Sequence, residues 1–394
     1  MQKILFITWD GPQTSYMEGL FLPIFNAIKK TDAIDFHVIQ FTWADQSKTD
    51  SIRKIADSFG IHYAAYKIQR KPIALLGSLF TLFQGKSFLQ QYIDQHKIDV
   101  VMPRSTMPAV MVNRLRLKNT KIIFDADGLP LEERVDFSGL SKASKQYQWL
   151  KKEETRLLIK ADGVLTRSQK AIAIHLKTIG NQFHDKFTVV FNGRNPEFFQ
   201  PYASQKTAVR KMLGIPEDDF VFVYCGSLGP QYGWEEMLTI FKSYHTIKST
   251  ARFLIVSGNP EFVKDKIPEE LQNSIIVKSV PFAEVPKFLS AADVAFAIRK
   301  PTFSMQGVAP IKLGEYLLMG LPTIASAGIG DTETLLENVP GTFLFEHNDA
   351  QAIEKAVTFV ANLKYDPLLL REAGEKYFSL KKSAESYRKA FQKL

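Results

Sequence analysis

The sequence predicts an α/β protein built from two doubly wound domains, and three observations carry that expectation. At 394 residues the chain exceeds what one domain of about 150 residues needs. Its first forty residues run strand, loop, amphipathic helix, strand, which is the βαβ pattern of a parallel sheet. A second series of the same kind follows NGRNPEFFQPY (192–202), a stretch rich in Asn, Gly and Pro that reads as a linker.

Taken in order, the first series opens with KILFIT as a strand, WDGPQTSY as a loop, MEGLFLPIFNAIKK as a helix and DFHVIQF as a strand. Further strand-like runs are DVVMP (99–103), KIIFDA (121–126), GVLTRS (163–168) and FTVVF (187–191), with helical periodicity between most of them. The second series has FVFVYCG (220–226), ARFLIVSG (251–258), SIIVKSV (274–280), VAFAIRK (294–300), PTIAS (322–326) and TFLF (342–345). The expected domains are 1–197 and 198–374, with a terminal helix over about 375–394 that packs back on the first. Ligands of such sheets sit outside the carboxyl ends of the strands, so the cleft between two such domains is the default active site.

Hydrophobic residues make up 45% and charged residues 23% of the chain, the usage of a folded soluble protein, and there is no internal repeat. The apolar run in MQKILFITWDGPQ is too short for a signal peptide or a membrane span, so a cytoplasmic protein is expected. The single cysteine, Cys225, lies among apolar neighbours and reads as a small buried hydrophobe rather than a nucleophile. A net charge of +9 favours an anionic partner: nucleic acid, an anionic membrane surface or a phosphorylated substrate. Nucleic acid is the least supported of these, because neither paired zinc ligands nor an aromatic RNA-binding strand is present. The seven histidines lie far apart without ligand spacing, so no structural metal is expected. Residues 67–93 set Leu, Phe and Tyr beside Lys67, Arg70, Lys71 and Lys86. They read either as a core helix with a basic rim or as a patch that meets the anionic inner face of a cell membrane.

The densest chemistry lies in APIKLGEYLLMGLPTIAS (309–326). Lys312 falls in the first turn of a helix, where the macrodipole mildly disfavours a cation. It precedes Glu315, which is the poorer order for a pair on one helix face. A bound anion resolves the conflict: the helix start at Pro310, Ile311 and Lys312 would cradle a diphosphate, with Pro310 in the first helical position. Glu315, one turn deeper on a partly exposed face, would accept hydrogen bonds from a ribose diol. A surface ion pair between Lys312 and Glu315 is the plainer alternative. Upstream, YCGSLGPQYGWEEML (224–238) sets Gly226, Ser227 and Gly229 between a buried strand and a helix from about Trp234. Backbone amides of such a loop can approach an anion closely; a tight turn without a ligand explains the same residues.

The run from Pro310 to Ser326 resembles the donor-binding signature of GT-B glycosyltransferases of the GT4 type, whose bacterial members carry Ser-Pro-Thr-Lys-x-x-Glu-Tyr-Leu-x-x-Gly-Leu-Pro. The glycine loop and FNGRNPEFFQP resemble the opening of that family's C-terminal domain and its Asn-Gly-x-x-x-x-x-Phe-x-Pro linker. The resemblance implies a GT-B fold of two Rossmann-like domains facing across a cleft. It also implies retaining transfer of a sugar from a nucleoside diphosphate sugar held by the C-terminal domain, without metal or other cofactor. The implied acceptor is a saccharide or lipid-linked molecule in bacterial surface polysaccharide synthesis.

Three positions depart from the family pattern. Val308 stands where many relatives have a Glu that touches the donor sugar, and Ser227 and Tyr232 stand where they have Arg and Lys on the diphosphate. Arg299, Lys300 and Lys312 are the cations available instead. In the first domain, Asp125 and Asp127 close a strand where relatives often bear a His, and Asp127 stands in as a polar contact to sugar or acceptor. A turn before Gly128 is an alternative, and the metal-binding Asp-x-Asp of the other large glycosyltransferase fold is another. Asp10-Gly11 lacks a following Gly-x-Gly-x-x-Gly and reads as an acceptor-side loop. A GT-B sugar-nucleotide epimerase and a two-domain sugar-binding protein without catalysis are the rival functions.

Overall fold

The computed structural model describes residues 1–71 and 73–394. Its strands in chain order are β1 (Gln2–Asp10), β2 (Ile34–Thr42), β3 (His62–Lys67), β4 (Val100–Pro103), β5 (Lys121–Asp127), β6 (Gly163–Thr166), β7 (Phe187–Val189), β8 (Val221–Cys225), β9 (Arg252–Val256), β10 (Ile275–Lys278), β11 (Val294–Ala297), β12 (Thr323–Ser326) and β13 (Thr342–Phe345). They form two sheets with every pairing parallel, ordered β3-β2-β1-β4-β5-β6-β7 and β10-β9-β8-β11-β12-β13. Both are Rossmann-like. Each sheet reverses its winding once, between β1 and β4 and between β8 and β11, and such a reversal opens a crevice at the carboxyl ends of the strands.

Helices cover both faces of each sheet, so the central strands are apolar without alternation: Ile4 to Ile7 and Val221 to Tyr224 are fully buried. In the first unit one face packs Leu5, Ile39, Val101 and Phe124 against Leu89 and Ile93 of helix Ala74–His96 and Leu157 of helix Lys145–Lys160. The other face is an aromatic stack in which Phe6, Phe21, Phe25 and Phe36 meet at centroid distances of 4.5–6.2 Å. The second unit has an apolar cluster on each side of its sheet, centred on Val223, Leu254 and Ala295 and on Phe222, Phe253 and Phe296.

The first unit comprises Met1–Asn192 with Ser383–Leu394, and the second Gly193–Lys382. Instead of one terminal helix there are two, Pro367–Phe378 and Leu380–Phe391. Ser379 between them is extended, because Arg194 and the flanking residues exchange two 2.7 Å backbone hydrogen bonds there, from Arg194 N–H to Phe378 O and from Leu380 N–H to Arg194 O. Strand β3 was not anticipated. HYAAYK has few β-branched residues, and it forms because it lies at the sheet edge with only alternate positions covered.

Helix Ala74–His96 does two things at once. Leu82, Leu89 and Ile93 are buried, while Leu76, Phe80 and Phe83, with Ile73 just before the helix, are exposed at 53–69%. Among the described residues no helix is long and apolar enough to cross a membrane.

Candidate functional site

The crevice of the second sheet is built by the loops that follow β8 and β11. Gly226 follows β8 with φ of +125°, a backbone conformation that side chains rarely tolerate, and a Cβ there would lie 2.6 Å from the Lys312 Nζ. The glycine therefore makes room for the lysine. Lys312 Nζ donates to the Tyr232 hydroxyl at 3.1 Å and lies 4.4 Å from the centre of that ring and 5.4 Å from that of Tyr224. Arg299 Nη2 donates to the same hydroxyl at 3.2 Å, its guanidinium 4.7 Å from the ring centre. With Ile298 and Pro310, these residues line one small pocket.

Among the described residues Lys312 makes no ion pair; its partners there are a hydroxyl and two ring faces, all neutral. The alternative reading, a pair with Glu315, does not form. Glu315 is buried rather than partly exposed, and its Oε1 accepts from Arg194 Nε at 2.8 Å. Pro310 is also displaced from its expected place: helix Ile311–Leu318 has Pro310 as its N-cap, so Ile311 and Lys312 are the first two helical residues.

Several side chains hold this arrangement. The Asn259 amide clamps the glycine loop through Leu228 N–H to Oδ1 at 2.9 Å and Nδ2–H to Leu228 O at 2.8 Å. The Tyr224 hydroxyl donates to Ser227 O at 2.9 Å, and the Tyr316 hydroxyl accepts from Cys225 N–H at 2.8 Å. Ser227 is exposed and Gly229 half-buried, so both loop residues stand open to a ligand. Ser326 Oγ accepts from Arg299 N–H at 2.9 Å and meets His347 Nε2 at 2.9 Å, while His347 Nδ1 lies 3.3 Å from Glu236. Burial pushes the Cys225 thiol up to about 12, and the phenols of Tyr224 and Tyr316 well above their usual range, so none supplies an anion or a nucleophile near neutral pH. Helix Ile311–Leu318 is fixed from behind by two glycines: a Cβ on Gly314 would meet Phe378 Cβ at 2.6 Å, and one on Gly374 would meet Leu318 N at 2.7 Å. Asn259 and Arg194 were not anticipated as parts of the site, and Tyr232 was expected only as the residue standing where relatives have a Lys, since no local spacing ties these residues to Lys312.

The carboxyl ends of the first sheet carry a different cluster. Asp125 is fully buried and pairs with Arg167 Nη2 at 2.8 Å. Asp127, at φ +62°, receives Arg104 Nη2 at 2.6 Å and lies 3.2 Å from Arg167 Nε. Arg104 also lies 3.8 Å from Asp10 at the end of β1. Asp125 Oδ1 accepts from Asp127 N–H at 3.1 Å, so a turn forms here as one reading expected. Asp127 is thus no free carboxylate, and the Asp-x-Asp metal reading meets a physical objection: two guanidinium groups already neutralise the pair and would repel a divalent cation. The nearby carboxylates hold both guanidinium groups above their usual range despite burial.

Three histidines, far apart in the chain, meet in space. Sheet register sets His37 opposite His62, and His96 at the end of helix Ala74–His96 comes within 5.3 Å of His37, ring to ring, so three residues distant in sequence are neighbours.

Two successive Rossmann-like units of this kind define the GT-B fold. Residues 219–362, which contain the glycine loop, Arg299, Lys312 and Glu315, match the family model described as glycosyl transferases group 1. The chain is 26% identical over 158 residues to the alpha-monoglucosyldiacylglycerol synthase of Acholeplasma laidlawii, a match covering 38% of each chain. It thus spans about two fifths of the length of that relative. The fold is similar to that of Anabaena HepE, solved in complex with UDP and glucose, with a TM-score of 0.70, 16% identity and full coverage of both chains. It is also similar to that of the UDP-GlcNAc 2-epimerase from Neisseria meningitidis, solved bound to UDP-GlcNAc, with a TM-score of 0.61, 11% identity and full coverage of both.

Proposed function

We propose that the protein is a retaining glycosyltransferase. It moves a sugar from a nucleoside diphosphate sugar to a saccharide or lipid-linked acceptor in bacterial surface polysaccharide synthesis, without metal or other cofactor. The observation that carries the reading is Lys312, a cation with no counter-ion among the described residues, folded over Gly226 at the winding reversal of the second sheet and converging with Arg299 on one neutral oxygen. A diphosphate oxygen is a far better partner for two cations than a phenol hydroxyl is. Departure of the nucleoside diphosphate develops charge on that group, which Lys312, Arg299 and the amides at the start of helix Ile311–Leu318 would stabilise.

Glu315, oriented by Arg194, is assigned to the ribose diol, and Gly226, Ser227 and Gly229 to the backbone that approaches the diphosphate. Asp127, oriented by Arg104 and Arg167, is assigned to the sugar or acceptor. No side chain is placed as a covalent nucleophile, which suits attack by the acceptor hydroxyl on the face the leaving group vacates. The Acholeplasma laidlawii relative, an alpha-monoglucosyldiacylglycerol synthase, is named for a product that joins glucose to a lipid, which supports a sugar donor and a lipid-linked acceptor. The exposed stripe Ile73, Leu76, Phe80 and Phe83 beside Arg70 and Lys71 supports peripheral contact with an anionic membrane.

The test is a panel of nucleoside diphosphate sugars incubated with the protein, with and without oligosaccharide and lipid-linked acceptors. Release of nucleoside diphosphate that depends on acceptor, with the anomeric configuration kept, supports the proposal. A donor isomerised without acceptor identifies an epimerase instead, and tight donor binding without turnover identifies a binding protein.

A further inference from the structure

We propose that Asp35, His37 and His62 form a site for one divalent cation of the zinc type, at the amino-terminal end of the first sheet. Asp35 and His37 lie two apart on β2 and therefore on one face, and the parallel register sets His62, the first residue of β3, opposite His37. One ligand atom from each residue lies within 4.8 Å of the other two. Asp35 Oδ2 is 3.4 Å from His37 Nε2, and Asp35 Oδ1 is 3.7 Å from His62 Nε2. Ligands about 2.0–2.1 Å from a tetrahedral Zn²⁺ are about 3.3 Å apart, so the trio must draw together, with the exposed His62 ring turning out of its stack on His37, to hold the ion.

His37 supplies the second observation. Its side chain is 2% exposed, and among the described residues its Nε2 has no hydrogen-bond partner while lying 3.4 Å from Asp35 in the trio. Its other ring nitrogen, Nδ1, is 2.8 Å from the Tyr92 hydroxyl. A proton on Nδ1 donated to Tyr92 leaves the Nε2 lone pair aimed at the site, as an outer partner does for a metal-bound histidine. In that tautomer the lone pair faces the Asp35 carboxylate, and a cation between them would bond both. His62 is 61% exposed, so the ion can enter from solvent and keep a fourth position for water. The site belongs wholly to the first unit and uses none of the residues assigned to the donor.

The untagged full chain, stripped with chelator and dialysed, is titrated with Zn²⁺ by calorimetry, and Co²⁺ is added separately as a spectroscopic probe. One equivalent should bind, the thermal midpoint should rise, and Co²⁺ should give the intense visible bands of tetrahedral coordination. His62→Ala and Asp35→Asn should each weaken Zn²⁺ by more than the roughly 10–100-fold that loss of an outer partner alone costs, and Tyr92→Phe by about that amount. Absence of binding to the folded wild-type chain overturns the proposal. So does one equivalent whose affinity is unchanged in the folded His62→Ala variant, because His62 is exposed and its loss leaves the core intact.

Discussion

Lys312 has no carboxylate in contact among the described residues. Its ammonium rests on Tyr232 and Tyr224, and it begins a helix whose dipole opposes it. Lys312→Ala should leave the melting temperature unchanged or slightly raised, since removing a cation from the positive end of a helix is worth about 0.3–1 kcal/mol. Turnover should fall about a hundredfold to a thousandfold, the usual effect of losing a contact to charge that develops in the transition state. Denaturant melts and single-turnover kinetics on the same samples check both halves, and a variant that unfolds readily while keeping its rate contradicts the assignment. Glu315 should behave in the opposite way. Glu315→Ala leaves the half-buried Arg194 guanidinium without its carboxylate, and breaking a buried pair from one side costs about 3–5 kcal/mol. Glu315→Gln retains an oxygen for Arg194, so it should stay folded and reveal any ribose contact as weaker nucleoside diphosphate binding in calorimetry.

His175 provides a residue-level test by pH. Burial pushes its imidazole down to about 4 from an ordinary 6.5, and it stacks on Phe187. Between those values the unfolded chain binds a proton that the folded chain refuses. Stability from this residue is therefore complete above about pH 6.5 and falls as the pH drops toward 4, by about 1.4 kcal/mol per unit. His175→Phe should remove that part of the slope, which urea midpoints measured across the window would show as a difference between the two proteins.

At the scale of elements, much was legible because it is local. Every strand of the second sheet was readable from its apolar run, and the helix from Trp234 starts where its glycine loop suggested. Lys312 was legible as a local conflict between helix dipole and charge. Its hydrogen bond to Tyr232 was not, nor were the supports from Arg194 and Asn259, since these contacts arise only through strand order and loop closure. The histidine trio was hidden for the same reason: a parallel register, not a spacing in the chain, makes His37 and His62 neighbours. Helix Ala74–His96 shows how two readings of one segment can both describe something real. Its buried stripe packs the core, and its exposed Leu76, Phe80 and Phe83 leave an apolar strip beside Arg70 and Lys71. Replacing Phe80 and Phe83 together by Ser should leave stability nearly unchanged, because both are already exposed. Co-sedimentation with vesicles rich in anionic lipid should fall several-fold if the strip meets membrane. Equal sedimentation of the variant would assign the strip no such role.

At the scale of the whole molecule, the chain leaves the first unit at Asn192 and returns to it at Ser383, so the last residues complete a core that begins at Met1. Tyr387 is fully buried and Phe391 nearly so. Phe391 sits 6.2 Å from the Phe36 ring, Arg388 pairs with Asp32 at 2.6 Å, and the Ser383 and Ser386 hydroxyls bond the backbone of Phe191. Deleting residues 383–394 removes two buried aromatic side chains, each worth about 3–5 kcal/mol when truncated to Ala. That loss approaches the 5–15 kcal/mol by which a domain is ordinarily stable. The first unit should therefore unfold at much lower denaturant, while the second, whose two clusters draw on none of these residues, should keep its amide protection. Hydrogen exchange read by mass spectrometry separates the two. Fast exchange confined to β1–β7, with β8–β13 protected as before, is the expected result. Because Lys312, Arg299 and the glycine loop all belong to the second unit, the truncated chain should still bind a nucleoside diphosphate while losing sugar transfer. Loss of protection in both units together would instead mean that the second unit cannot hold its fold without the first.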